Sequence, residues 1–171
     1  MLSKRVEKAL NDQIAKEAYA SNSYLAMASW CETKGLRGCT SFFYKQADEE
    51  RQHMLKLIKY VNASGGGATI PALAQPKEHY DSINDLFDIS LKQERDVTDS
   101  INKLVELSFS AKDHASYNFL QWYVSEQHEE EGLFKTILDI INLGGKDSRS
   151  LLLVDLEIGK IGTSEDDKDD D

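Results

Sequence analysis

Apolar side chains recur at intervals of three and four along nearly the whole chain. One stretch runs Phe43, Ala47, Glu50, Met54, Leu57 and Val61, a spacing that turns one face of an α-helix toward a core. No segment alternates convincingly in the manner of a strand, so the pattern predicts an all-α fold. Breaks are few: Gly35 and Gly38, Gly65-Gly66-Gly67 with Pro71 and Pro76, Gly144-Gly145, and Gly159 with Gly162. From Ser82 to Asn142 only an isolated Gly132 intervenes, yet a single helix of that length is improbable in a globular domain. A turn is therefore expected at Ser110-Ala111-Lys112-Asp113, where the periodicity lapses and Asp113 can cap the next helix. Ser82-Ile83-Asn84-Asp85 resembles a capping box and marks the start of the preceding one. The prediction is four long helices, over about 3–34, 36–63, 82–111 and 113–142, and a short fifth over about 148–159.

Two short turns make two antiparallel helix hairpins. The connection from Val61 to Asp81 holds both prolines and, fully extended, reaches roughly 65 Å. Helices of about 30 residues are roughly 45 Å long, so this segment can run the length of the bundle and start the third helix at the far end. The architecture that follows is a four-helix bundle with one long crossover and a short C-terminal helix.

Each long helix carries an acid where its own periodicity calls for an apolar residue. Leu10, Glu17, Tyr24 and Cys31 are spaced by seven, as are Phe43, Glu50 and Leu57, and Phe87, Glu94 and Ile101; Tyr123, Gln127, Glu130, Phe134 and Ile137 form one stripe on the fourth helix. Measured from Gly35, Glu17 and Glu50 differ in height by roughly 4.5 Å, and measured from Lys112, Glu94 and Glu130 are level. Four inward carboxylates should thus converge near mid-bundle. His53 follows Glu50 by three, which puts imidazole and carboxylate on one helix face. Glu-x-x-His alone is a weak signal, but unpaired buried carboxylates are costly, and divalent cations bridged by Glu50 and another acid would satisfy all of them. Oxygen-rich ligands with one imidazole suit iron or manganese. Tyr24 is read either as an amphipathic core residue or as a group that hydrogen-bonds a ligand or donates an electron. Glu49, Glu126 and Glu129 lie beside the inner stripes, where they either stay solvated or flank a further metal position. Trp122 and Met54 are read as core packing, and His79, His114 and His128 as surface residues.

Composition narrows the partners. Thirty acids against twenty bases give a formal charge of −10, which disfavours phosphate neutralisation and hence nucleic acid. Six of the acids and one lysine fall in 163–171, expected to be a disordered acidic tail behind one domain over 1–162. Cys31 and Cys39 are too few for a disulfide framework. No apolar run approaches a membrane span, and the N-terminus lacks the apolar stretch of a signal peptide. A cytoplasmic protein is the expectation.

The chain resembles the ferritins, specifically the haem-free bacterial ferritins, over nearly all of residues 1–162. The resemblance rests on Glu17 with Tyr24, on Glu49-Glu50-Arg51-Gln52-His53, on Gln93-Glu94, and on the run from Trp122 to Glu131. It implies a ferroxidase centre with one iron held by Glu17, Glu50 and His53 and a second by Glu50, Glu94 and Glu130, Gln127 lying at the edge. It also implies a third iron site at Glu49, Glu126 and Glu129 with Glu130. The fourth helix has Gln127-x-x-Glu130 in place of a second Glu-x-x-His, a departure from bacterioferritins that suits iron passing through rather than a held pair. With Arg51 between Glu50 and Gln52, and Met54 just beyond His53, no haem is expected. The implied function is iron storage: Fe(II) oxidised by O2 or H2O2 and deposited as ferric oxyhydroxide inside a hollow shell of twenty-four chains. A di-iron oxidase or peroxidase acting on peroxide or an organic substrate is the alternative. Leu151, Leu152, Leu153, Val154, Leu156 and Ile158 make the fifth helix too apolar for a free appendage, and a homo-oligomer is expected.

Overall fold

The helices begin where local side chains can satisfy the first free amide groups. Ser3 accepts from the Val6 amide at 3.2 Å, Ser82 from the Asp85 amide at 3.1 Å, and Asp113 from the Ser116 amide at 3.1 Å. The computed structural model describes residues 2–145 and 147–164, and these form α1 (Lys4–Thr33), α2 (Arg37–Ala63), α3 (Ile83–Ser110), α4 (His114–Gly144) and α5 (Ser148–Ser164). Among the described residues there is no strand. The four long helices match the predicted spans to within about two residues, as helix ends generally do.

Both hairpin turns use a left-handed residue. Gly35, at φ 73°, reverses the chain between α1 and α2. Lys112, at φ 56°, does so between α3 and α4, and because it is not glycine the break shows in the sequence as lapsed periodicity and the capping Asp113. The crossover from Ser64 to Ser82 is pinned to α1 near its start: Asn11 donates to the Gly67 carbonyl and accepts from the Thr69 amide at 2.7 Å, and Glu7 accepts from the Gly67 amide.

The core falls into two apolar clusters, one at each end of the bundle. Val6, Leu10, Ile14, Leu57, Val61, Ile101, Leu104 and Leu120 pack at the end where α1 begins and α2 finishes. Cys31, Cys39, Phe42, Phe87, Ile137 and their neighbours pack at the other, where α3 begins. The crossover therefore does run the length of the bundle. Between the two clusters lies a buried layer that is not apolar: Gln13, Glu17, Gln46, Glu50, His53, Glu94, Gln127 and Glu130, each at most 5% exposed.

α5 departs from expectation at its end. It runs to Ser164, through Gly159 and Gly162, and α2 likewise contains Gly38 near its start. These glycines do not stop helices; they let two helices touch. A Cβ on Gly38 would lie 1.8 Å from the Asp155 carbonyl oxygen, and one on Gly159 would lie 3.0 Å from the Gly38 Cα. The contact carries a cap from another element. Leu36, at the start of α2, has no capping side chain, and the buried Asp155 carboxylate of α5 accepts from the Gly38 and Cys39 amides at 3.0 and 2.9 Å. Negative charge at a helix N-terminus is favourable. Val154 and Ile158 are buried on this face, while Leu152, Leu153 and Leu156 on the other are more than half exposed in the single chain. The acidic tail predicted over 163–171 begins inside this helix, since residues 163 and 164 belong to α5; from residue 165 onward it lies outside the described residues.

Candidate metal centre

The polar layer brings the four inward acids together at the height that turn counting predicts. Glu17 on α1 and Glu50 and His53 on α2 each offer a ligand atom, all within 4.8 Å of one another and all buried. Glu94 on α3 and Glu130 on α4 complete the layer, their carboxylates close enough to act on Glu50 electrostatically and on each other. The heptad spacing of Glu17, Glu50 and Glu94 with apolar residues places them here, and the surrounding core then holds them dry.

Several ligand atoms have no protein partner. Glu17 Oε2, Glu50 Oε2, His53 Nδ1 and Glu130 Oε2 are buried without a hydrogen bond. Such atoms are rare in folded proteins because each forfeits its hydration. Three of these residues, Glu17, Glu50 and His53, bring ligand atoms within 4.8 Å of one another, and Glu130 lies near enough to act on Glu50 and His53 electrostatically. Carboxylate oxygens with one imidazole nitrogen form a donor set for a divalent transition metal such as iron or manganese.

The acids are held in place by neighbours. Gln13, buried one turn before Glu17, donates to Glu17 Oε1 at 2.7 Å and accepts from the Ser100 hydroxyl at 2.6 Å. Tyr24, wholly buried and stacked against Phe43 and Phe134, donates to Glu94 Oε1. Gln127 donates to Glu94 Oε2 at 3.1 Å and to the Glu94 carbonyl at 3.2 Å. The Tyr123 hydroxyl donates to the His53 carbonyl at 2.7 Å. His53 places Nδ1 3.5 Å from Glu50 Oε2 and Nε2 3.6 Å from Glu126 Oε1, so one ring nitrogen faces the ligand cluster and the other a carboxylate, the arrangement usual for a metal-binding histidine.

Without a cation, mutual repulsion and burial govern the charges. Burial, with the Glu94 carboxylate beside both, pushes Glu50 and Glu130 well above the ordinary carboxylate range. Glu94 is pushed up by burial to about 7, the hydrogen bonds from Tyr24 and Gln127 working against it. Burial works to lower His53, but Glu126, Glu17 and Glu130 outweigh it and raise the imidazole. Tyr24 is held well above the usual phenol range by burial and by Glu94. Burial thus favours the protonated carboxyls, and a cation bound among them would displace those protons.

The flanking acids are placed less uniformly. Glu126 is half-buried beside His53. Glu49 accepts from Gln46, lies 3.7 Å from the Lys45 ammonium and acts electrostatically on both Glu50 and Glu130. Glu129 is exposed, as are His79, His114 and His128. Met54 packs against the core as expected. Trp122 does not: it is 37% exposed and packs in a T-shaped contact with the His53 ring, 5.2 Å between centroids, instead of entering the core. Sequence reasoning missed Gln13 and Tyr123. Gln13 had a signal, a second polar residue on the inner stripe four positions before Glu17, whereas Tyr123 reads as core until its hydroxyl is seen. A cleft of about 320 Å3 between α3 and α4, lined by Thr98, Asn102, His128 and Glu131, reaches Gln127 from outside.

Among the described residues no helix is long and apolar enough to cross a membrane. The ferritin-like domain family matches over residues 7–143. A probable bacterial non-heme ferritin-like protein of Haemophilus influenzae is 45% identical over 95% of this chain and 99% of its own. A bacterial non-heme ferritin of Campylobacter jejuni is 46% identical over 96% of this chain and 98% of its own. Among solved structures, an open pore ferritin from the hyperthermophilic archaeon Archaeoglobus fulgidus superposes with a TM-score of 0.90 at 38% identity, covering 93% of this chain and 98% of that one.

Proposed function

The chain belongs to the ferritin family, and from that premise we propose that it stores iron, oxidising Fe(II) at the centre between its four helices. The observation that carries the reading is the cluster of buried ligand atoms from Glu17, Glu50 and His53, with unpartnered buried donor atoms on these three and on Glu130. Glu17, Glu50 and His53 hold one ferrous ion; Glu50, Glu94 and Glu130 hold the second, with Gln127 at its edge keeping Glu94 turned inward. Glu50 serves both ions, since a carboxylate can bridge. Carboxylates also favour the ferric state, and the apolar clusters on either side keep bulk water from the reacting ions.

Protons leave Glu50, Glu94 and Glu130 as Fe(II) enters, so loading is coupled to deprotonation. Electrons pass from the paired ferrous ions to O2 or H2O2. Tyr24, joined to Glu94 through its hydroxyl, either holds that ligand in place or supplies a further electron. Because Gln127 and Glu130 provide no second imidazole, the oxidised product moves on rather than staying as a held pair, and Glu49, Glu126 and Glu129 with Glu130 form a third iron site beside the centre. It is deposited as ferric oxyhydroxide inside a cytoplasmic shell of twenty-four chains, which would cover the exposed leucines of α5; no haem takes part. Residues 1–162 form the iron-handling domain, and the acidic residues that follow are a solvated tail.

Incremental aerobic loading of the metal-free protein with Fe(II), followed by size separation with iron detection, tests this directly. Hundreds of irons per particle co-eluting with a very large assembly is the expected result. Saturation near two irons per chain on a small species would refute storage and point to a di-iron oxidase instead. Glu50→Ala should abolish rapid oxidation, and full activity in that variant would defeat the site assignment.

A further inference from the structure

Lys56 follows His53 by three residues on α2, at the rim of the centre. Its ammonium lies 3.3 Å from the centroid of the Trp122 ring, on the indole face. Trp122 meets His53 edge to face, and Glu126, one turn along α4 from Trp122, faces His53 Nε2. Ammonium, indole, imidazole and carboxylate thus form one cluster beside the ligands. Glu126 is close enough to act on the charge of Lys56, and a lysine so near a carboxylate would ordinarily pair with it. Among the described residues, however, no carboxylate oxygen stands within ion-pair distance of Lys56 Nζ, whose contact is the indole.

A cation–π contact and a partly exposed ion pair are of similar strength, so the indole can compete with Glu126 for the ammonium. The consequence for the centre is direct. An ammonium on Glu126 would take the acceptor that His53 faces and place a positive charge where a divalent cation approaches.

We propose that Trp122 is a positioning residue that holds the Lys56 ammonium on its face and away from Glu126, leaving Glu126 available to His53 and to an incoming divalent cation. This rests on reading the centre as a metal site. Trp122 then matters not as packing but through the residue it detains, and the sign of the effect depends on whether Lys56 is present.

The test is titration of the intact metal-free protein with Co(II), which is not oxidised under these conditions, following the visible absorption of the bound ion. Trp122→Leu, which frees the ammonium, should weaken Co(II) binding about three- to tenfold. Trp122→Phe, which keeps a smaller ring, should weaken it less. Lys56→Met should tighten binding about two- to fivefold, a nearby positive charge having gone. The double variant Trp122→Leu with Lys56→Met should bind at least as tightly as the parent. If the double variant is as weak as Trp122→Leu alone, Trp122 acts only by packing against His53 and the proposal is overturned; it is equally overturned if Trp122→Leu binds normally. Should Trp122→Leu fail to assemble, the pair of Trp122→Phe with and without Lys56→Met decides the same question. Absence of any Co(II) spectrum in the parent protein would sink the metal-site reading, and this inference with it, a result distinct from the other two.

Discussion

Raising the pH of the metal-free protein from about 5 to about 8 is expected to lower its melting temperature, and the centre sets much of the slope. Glu94 is the clearest contributor. Burial lifts its carboxyl from the ordinary 4.5 to about 7, so between those values the folded chain keeps a proton that the unfolded chain has released. Stability from this group is fully present below the unfolded value and is lost as pH rises through the folded one. The interval corresponds to about 3 kcal/mol at full expression, and to about 2 once water penetration and side-chain movement soften the burial. For a chain of this size each kcal/mol moves the melting temperature about 2–4 °C, so the expected fall is about 5–10 °C. Glu50 and Glu130, raised by burial and by their fellow carboxylates, act in the same direction, and so does His53, raised by the surrounding acids. Scanning calorimetry of chelator-treated protein at both pH values measures the slope, and Glu94→Gln separates the centre from the general repulsion of a chain carrying −10. The variant should be the more stable of the two at high pH and show a flatter dependence. Co(II) should stabilise the parent more at the higher pH, since fewer protons must be displaced. Equal slopes for parent and variant, or a parent that gains stability as pH rises, would refute the reasoning.

Tyr24→Phe removes the hydroxyl that Glu94 accepts from, and should slow aerobic Fe(II) oxidation severalfold in stopped-flow absorbance; an unchanged time course would take Tyr24 out of the mechanism. Gly38→Ala should cost about 1–3 kcal/mol or more by forcing α5 from α2, because its Cβ would meet the Asp155 backbone. A melting curve that does not move would show that the two helices have room to separate freely.

The amino-acid pattern by itself determined the four long helices, the crossover and the acids of the centre. All of these follow from local rules: a period near 3.6, side-chain caps at Ser3, Ser82 and Asp113, and counting from a turn to a height. Glu17, Glu50 and Glu94 were legible because each interrupts an apolar heptad, and Glu130 because it shares its stripe with Phe134 and Ile137. What the tertiary structure decided are contacts between residues far apart in the chain. Gly38 and Gly159 punctuate the sequence in the same way whether they end a helix or let two helices cross, and only the approach of α5 separates the two cases. The Asp155 cap joins residues 117 positions apart, so no window on the sequence contains both partners. Trp122 is apolar enough to read as core, yet it lies at the rim, where His53 supplies one neighbour and Lys56 the other. Periodicity fixes which face of a helix turns inward; which neighbour each side chain meets there depends on how the helices pack, and packing is a property of the whole chain.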